Sequence, residues 1–329
     1  MDFELSDDEV ALGEAVRRLC AGRFPLEALR RAEGSAAVVD PAAWRSLADA
    51  GVFALRAGGA EGLGLGLAEA AVVFEELGRA LVPGPLVATH LAAAFDLVPG
   101  AATGDAVVGS VSRPRPSGPG VIAPAVVEHV AITDSLVVVG EDGVALLDPA
   151  DLEAVRIERS IDPLTPLWRV GELPAGRTVG DGALAARWRR DDDVLNASFL
   201  VGVAFAMLEL SVEYAKGREQ FGRPIGSFQA VKHLCADMLV RAEIARSATH
   251  AAAVTVDQPE VGDAERAAAG AALLAAEAAT ANGRSCIQVH GGMGFTWEVP
   301  AHLYVMRARV VAARMRSGGE LAESVAERY

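Results

Sequence analysis

Cysteine is scarce in this chain of 329 residues: Cys20, Cys235 and Cys286 are odd in number, far apart and set in apolar helical patterns. Neither a disulfide framework nor a metal knuckle is suggested, and a reducing compartment fits best. The opening residues, MDFELSDDEV, have neither a basic nor an apolar leader segment, so no secretory signal is expected. Apolar runs of membrane-spanning length are also missing by eye, because the Ala/Leu/Val segments carry Glu, Arg or Lys every few residues. A soluble cytoplasmic protein is the expectation. Positive charge is in short supply: 44 acidic residues face 30 basic ones, for a formal charge of −14. This disfavours nucleic acid and anionic membrane as partners, so an anionic ligand must meet a locally basic site. No Walker A, G-x-S-x-G, H-E-x-x-H or C-x-x-C pattern occurs, and no metal site is expected. The glycines of EGLGLGLAEA at 61–70 follow no strand and have the wrong spacing for a dinucleotide fingerprint, so they are read as a turn before a helix.

What is present is a large hydrophobic content, 51%, enough for a sizeable core without covalent staples. Ser6 with Glu9 forms a capping box ahead of a helix with Val10, Leu12, Val16 and Leu19 on its apolar face. Asp40 and Pro41 make an N-cap and N1 pair for a second helix that Gly51 ends, and further helices are predicted over about 67–81 and 86–96. From about 104 to 180 Val-rich runs alternate with Pro and Gly clusters, and VVVGEDGVALL predicts a hairpin turning at Asp142–Gly143. Helical periodicity then returns over about 191–217, 226–256, 262–282, 284–290 and 298–316, with the Ala-rich 264–281 stretch read as a buried, closely packed helix. The predicted fold is mainly α with a small β domain, in the order α–β–α. Its parts are a helical domain at 1–103, a β domain at 104–181 and a C-terminal four-helix bundle at 182–329.

Two stretches interrupt the last region. In YAKGREQFGRPIGSFQAVKH (214–233), Arg218 ends one helix, Gly222, Pro224 and Gly226 force a turn, and Ser227 is placed to cap the next helix. A guanidinium at a helix end, beside a planar Phe221 and the free N–H groups of a helix start, suits a pyrophosphate joined to a flat ring. An ordinary surface connection is the plain alternative. The second stretch, IQVHGGMGFTWEVP, offers Gln288 as donor and acceptor, and glycines 291, 292 and 294 that let a ligand approach the backbone. His290 there is either a base or, more plainly, a packed residue; Phe295 and Trp297 either meet a cofactor or fill the bundle core.

Together, R-x-x-F-G-x-x-I-x-x-F-Q-A-V-K-H-x-x-A-D-M and the later Q-x-x-G-G-x-G-F-T resemble the acyl-CoA dehydrogenase family. DPAAWRSLADAGV and VVFEELGRALVPGPL resemble its N-terminal domain. The resemblance implies FAD bound across a subunit interface. Arg218 would pair with the pyrophosphate, Gln220 and Phe221 would line the same end, Gln229 would bond from the second helix, and Gln288, Gly291 and Gly292 would receive the adenosine side. It also implies an acyl-CoA substrate and an electron-transfer flavoprotein as electron acceptor.

The family's chemistry needs a carboxylate base, and here the match is poor. The usual position of that glutamate, in a Tyr-Glu-Gly-Thr context, falls at about Met315, which takes no proton. Some members carry the glutamate on the helix preceding the arginine; counting back from Arg218 reaches Asp192 in RRDDDVLNAS, a candidate base whose plain alternative is solvated charge at a helix start. The β domain, with SRPRPSGPG between its first runs, looks abridged. Both departures resemble the smaller subunit of actinobacterial assemblies in which a short member pairs with a longer paralogue. The implied activity is FAD-dependent desaturation of an acyl-CoA within a homo- or hetero-tetramer; a non-catalytic subunit completing a paralogue's FAD site is the alternative.

Overall fold

The computed structural model describes residues 5–113 and 124–328, so most of SRPRPSGPG lies outside the described residues. Five helices come first: α1 (Asp7–Arg23), α2 (Leu26–Ala32), α3 (Pro41–Asp49), α4 (Leu67–Arg79) and α5 (Leu86–Ala94). Seven strands follow, then the long helices α6 (Gly182–Gly217), α7 (Gln229–Asp257), α8 (Ala264–His290) and α9 (Ala301–Arg314), and a last one, α10 (Gly318–Ala326). The α–β–α order is observed.

Local chemistry accounts for the boundaries. The α1 capping box is complete: the Glu9 N–H donates to the Ser6 hydroxyl at 3.3 Å, and the Ser6 N–H donates to the Glu9 carboxylate at 2.8 Å. The face that α1 buries is Gly13, Val16 and Cys20, whereas Val10 is exposed, so the apolar stripe is narrower than its spacing suggested. Asp40 caps α3 by accepting from the N–H groups of Ala42 and Ala43. Residues 61–66 are irregular and lead directly into α4, as a turn before a helix should.

The chain forms two compact units. One comprises Glu27–Gly66 and Pro83–Asp192. Here β1 (Val108–Ser112), β3 (Ser135–Val139), β4 (Gly143–Leu147) and β7 (Arg177–Asp181) form one sheet, in which β1 and β3 are parallel and the other pairs antiparallel. A second, antiparallel sheet has the order β2 (Ala125–Glu128), β6 (Leu167–Val170) and β5 (Ala154–Arg156). Leu136, Val138 and Leu147 of the first sheet pack with Ala125, Val127 and Val170 of the second to make the core of this unit. The expected hairpin exists, although its turn comes earlier: the Gly140 N–H donates to the Gly143 carbonyl at 2.9 Å, so Gly143 already belongs to β4.

The other unit gathers the residues up to Leu26, Leu67–Val82 and everything from Asp193 onward. Within it α4 and α6 cross at very short range. A Cβ on Gly78 would lie 1.9 Å from the Phe199 carbonyl oxygen, and one on Gly202 would lie 1.8 Å from that of Glu75, so both crossing positions demand glycine. The alanines of α8 are buried on several sides, as expected of a closely packed helix.

Three expectations about the long helices need correction. First, α6 begins at Gly182 rather than near 191, because Asp181 accepts from the Leu184 N–H and so caps it. Second, α8 runs unbroken through Gly283, which faces Val305 across a close helix contact and breaks nothing. Third, α6 is after all long and apolar enough to cross a membrane, yet 89% of its apolar window is buried inside the protein, which explains its composition.

Candidate functional site

A buried asparagine fixes the geometry of the bundle. The Asn282 amide of α8 donates to the carbonyls of Ala204 on α6 (3.2 Å) and Met238 on α7 (3.0 Å), while its oxygen accepts from Arg241 of α7. With α7 antiparallel to its neighbours, this places the end of α6, the start of α7 and the end of α8 at one end of the bundle. A ring contact confirms the juxtaposition: Tyr214, one turn before Arg218, stacks on His290, the last residue of α8, with centroids 4.3 Å apart. His290 is buried, and its Nδ1 lies 2.8 Å from the Cys286 carbonyl. It is a packed residue, and nothing in its surroundings suits a base.

The first bend is a miniature hairpin. After α6, Glu219–Gln220 (β8) pair with Arg223–Pro224 (β9), and the two tip residues, Phe221 (φ 52°) and Gly222 (φ 76°), are both left-handed, the geometry of a type I′ turn. Phe221 is 93% exposed, which is unusual for a bulky residue in this conformation. The Arg218 side chain is exposed, and it makes no ion pair among the described residues. Arg223 lies 4.2 Å above the Phe228 ring, and Phe221 meets the same ring edge-on. Gln220 and Gln229 are exposed, Gln229 as the first residue of α7. The helix cap differs from expectation: Ser227 belongs to a short 3₁₀ turn, and Phe228, with no side-chain cap, precedes α7.

At the second bend the Gly291 N–H donates to the Gln288 carbonyl, closing α8 with Gly291 at φ 58°. Gln288, Gly291 and Gly292 are exposed, and a Cβ placed on either glycine would meet nothing within 4 Å. Open space therefore fronts these glycines, as a backbone cradle for a ligand requires. Phe295 and Trp297 are 83% and 64% exposed, so they do not fill the bundle core.

The candidate base lies elsewhere, 26 residues before Arg218 on α6. Its neighbours are not solvated charges. Asp191 is fully buried between Arg56 and Arg190, each 2.8 Å away. Asp193, 1% exposed, accepts from Arg316 Nε at 2.6 Å. Asp192 is half-buried and also engaged. Met315 is buried at the end of α9, between Arg314, which bonds to Asn196, and Arg316.

Sequence reading missed one further cluster. Glu75 and Glu76 of α4 are buried with Arg79; Arg246 clasps Glu75 through two hydrogen bonds, His250 approaches it at 3.6 Å, and Arg17 clasps Glu76. Burial alone would push the Glu75 carboxyl up, but hydrogen bonds from His250 and Arg246 and the Arg246 charge outweigh it and hold the carboxyl down at about 2. Arg17, Glu75, Glu76, Arg246 and His250 line a cavity of about 540 Å³ between α1, α4 and α7. The acidic pair inside the apolar run VVFEELGR was the available signal.

The acyl-CoA dehydrogenase C-terminal domain matches residues 194–314, and the acyl-CoA dehydrogenase N-terminal domain matches residues 6–100. Acyl-CoA dehydrogenase IpdE2 of Mycobacterium tuberculosis is 35% identical over 96% of this chain and 95% of its own length. Acyl-CoA dehydrogenase FadE34 of the same organism is 34% identical over 96% of this chain but only 47% of its own length, so the chain spans about half of that relative. The chain belongs to the acyl-CoA dehydrogenase family. Its fold is shared with the ChsE4-ChsE5 complex from M. tuberculosis (TM-score 0.84, 24% identity, 99% of this chain and 98% of that one). It is also shared with an FAD complex of PigA (TM-score 0.82, 20% identity, 99% and 98%).

Proposed function

We propose that this chain is a subunit of a cytoplasmic FAD-dependent acyl-CoA dehydrogenase, which desaturates an acyl-CoA thioester between its α and β carbons. The observation that carries this reading is the meeting of two open bends at one bundle end, with Arg218, in no ion pair among the described residues, on one and glycines 291 and 292, fronted by open space, on the other. Bound there, FAD would accept the β-hydrogen with its electron pair while a carboxylate takes the α-proton, and an electron-transfer flavoprotein would reoxidise it.

In this reading Arg218 supplies a charge-assisted hydrogen bond to the pyrophosphate, and Gln220, Phe221 and Gln229 flank it. Gln288 and the Gly291–Gly292 backbone hold the adenosine side. The protein's strong net negative charge makes the exposed Arg218 and Arg223 at this end a locally favourable place for a diphosphate. We assign cofactor binding to the bundle at 182–329 and cover of the flavin to the β domain at 104–181 of another chain, with 1–103 as the N-terminal helical domain.

The assembly is proposed as a tetramer with a longer paralogue. FadE34, about twice the length of this chain, has room for a second unit of similar size in one polypeptide, which supports pairing of two related units. A second reading, a subunit without turnover of its own, is favoured by Met315 and by the engaged aspartates 191–193. Expression alone and with a longer paralogue, followed by flavin stoichiometry and acyl-CoA-dependent dye reduction, tests both. A yellow, active preparation of the lone chain supports the first reading, and flavin appearing only on co-expression supports the second. No flavin in either preparation refutes the cofactor assignment.

A further inference from the structure

The joint between α9 and α10 is three residues long, Met315–Ser317, and it is pinned from both sides. Arg314, just before it, reaches Asn196, and Arg316, within it, reaches Asp193. The two acceptors stand three residues apart, and so on one face of α6; both are about 1% exposed. Met315, between these two arginines in sequence, is itself buried. Ser317 then starts α10 with a complete capping box to Glu320, so the joint has no slack at its far end either.

A buried carboxylate–guanidinium pair is a poor source of net stability, because desolvation offsets its attraction. Its effect is positional: it fixes one arrangement of the elements it joins. We propose that Arg314 and Arg316 are positioning residues that latch the α9–α10 joint onto α6 and shut this chain's own acyl-thioester position. This rests on the family reading given above, which places the reacting carboxylate at the position of Met315 or on the same stretch of α6. It goes further in naming what closes the site and what opens it.

Two measurements test it. The first needs neither cofactor nor activity: hydrogen–deuterium exchange at the amides of 314–318 in the full chain and in Asp193→Asn, which keeps the shape of the side chain and removes its charge. Exchange should quicken at least tenfold in the variant at this joint and stay unchanged at the first bend, 218–228. Equal exchange at the joint in both proteins overturns the latch.

The second uses the chain reconstituted with FAD and a panel of straight-chain and branched acyl-CoA thioesters, reading loss of the flavin's visible absorbance. Met315→Glu alone should leave the flavin oxidised. Met315→Glu combined with Arg314→Tyr and Arg316→Gly should bleach it at least tenfold faster, the α-proton passing to the new carboxylate and the β-hydrogen with its electron pair to the flavin. Bleaching by the single variant overturns the proposal. So does an inert triple variant that holds FAD and exchanges fast at the joint. Failure of every variant to take up FAD, both alone and with a longer paralogue, would instead overturn the cofactor reading, while the exchange measurement still decides the latch.

Discussion

Two parts of the α6–α10 unit treat charge in opposite ways. Along α6 and α4, buried carboxylates are met by arginines of the same unit: Asp193 by Arg316, Glu75 by Arg246, Glu76 by Arg17. At the far end, where the two bends meet, Arg218 stands exposed with no ion pair among the described residues, and the side chains of Phe221, Phe295 and Trp297 are exposed. The first region has satisfied itself. The second adds little to the fold, since neither an exposed guanidinium nor exposed aromatic side chains do much to hold it together.

The glycines break this comparison most directly. Gly202→Ala would drive a Cβ to 1.8 Å from the Glu75 carbonyl oxygen and 2.7 Å from the Arg79 nitrogen, forcing α4 and α6 apart. A loss of about 3 kcal/mol or more is expected in urea unfolding. Gly292→Ala faces open space and should change stability by no more than about 0.5 kcal/mol, while weakening FAD retention. Equal destabilisation by both would erase the distinction between a packed region and an open one.

The Glu75 cluster gives the pH dependence. Its carboxyl is lowered from 4.5 to about 2, so the ionised form binds its partners in the folded protein and holds fewer protons than in the unfolded chain. Its contribution is complete above about 4.5 and is lost as pH falls from there toward about 2. Glu75→Gln should cost about 2 kcal/mol at neutral pH and flatten that part of the acid-unfolding curve, followed by circular dichroism. At the open end, Arg218→Ala should leave the melting temperature where it is, yet raise the FAD dissociation constant about tenfold to a hundredfold, ~1.5–3 kcal/mol. Unchanged FAD content after gel filtration would remove Arg218 from the site.

The same contrast governs what could be read without coordinates. The bends were legible because their chemistry is local: an arginine at a helix end, a Gly/Pro turn and a glycine pair each sit within ten residues. Capping chemistry marks α1 and α3 for the same reason, and Ser317 with Glu320 carries an equal local signal for α10. The latch was not legible, since Asp193 and Arg316 are joined across 123 positions. Three aspartates in a row read as a helix start; with Arg56, Arg190 and Arg316 beside them they sit inside a helix. Gly283 misled in the opposite way, because a glycine chosen for close packing looks in sequence like one chosen to break a helix.

The smallest expected effect is the most discriminating. Phe221 holds φ 52° at the tip of the hairpin with 93% of its surface exposed. An L-residue with a bulky side chain gives up about 1–2 kcal/mol in that region, while asparagine tolerates it. Phe221→Asn should therefore raise stability slightly, by about 0.5–1 kcal/mol, measured by urea unfolding of the FAD-free chain. If the ring is retained for a ligand, the same substitution should weaken FAD binding, so the two quantities move in opposite directions. A variant that is both less stable and no weaker in binding would mean that the ring serves the fold, through its edge contact with Phe228, and that the bundle end is less open than its exposed surface suggests.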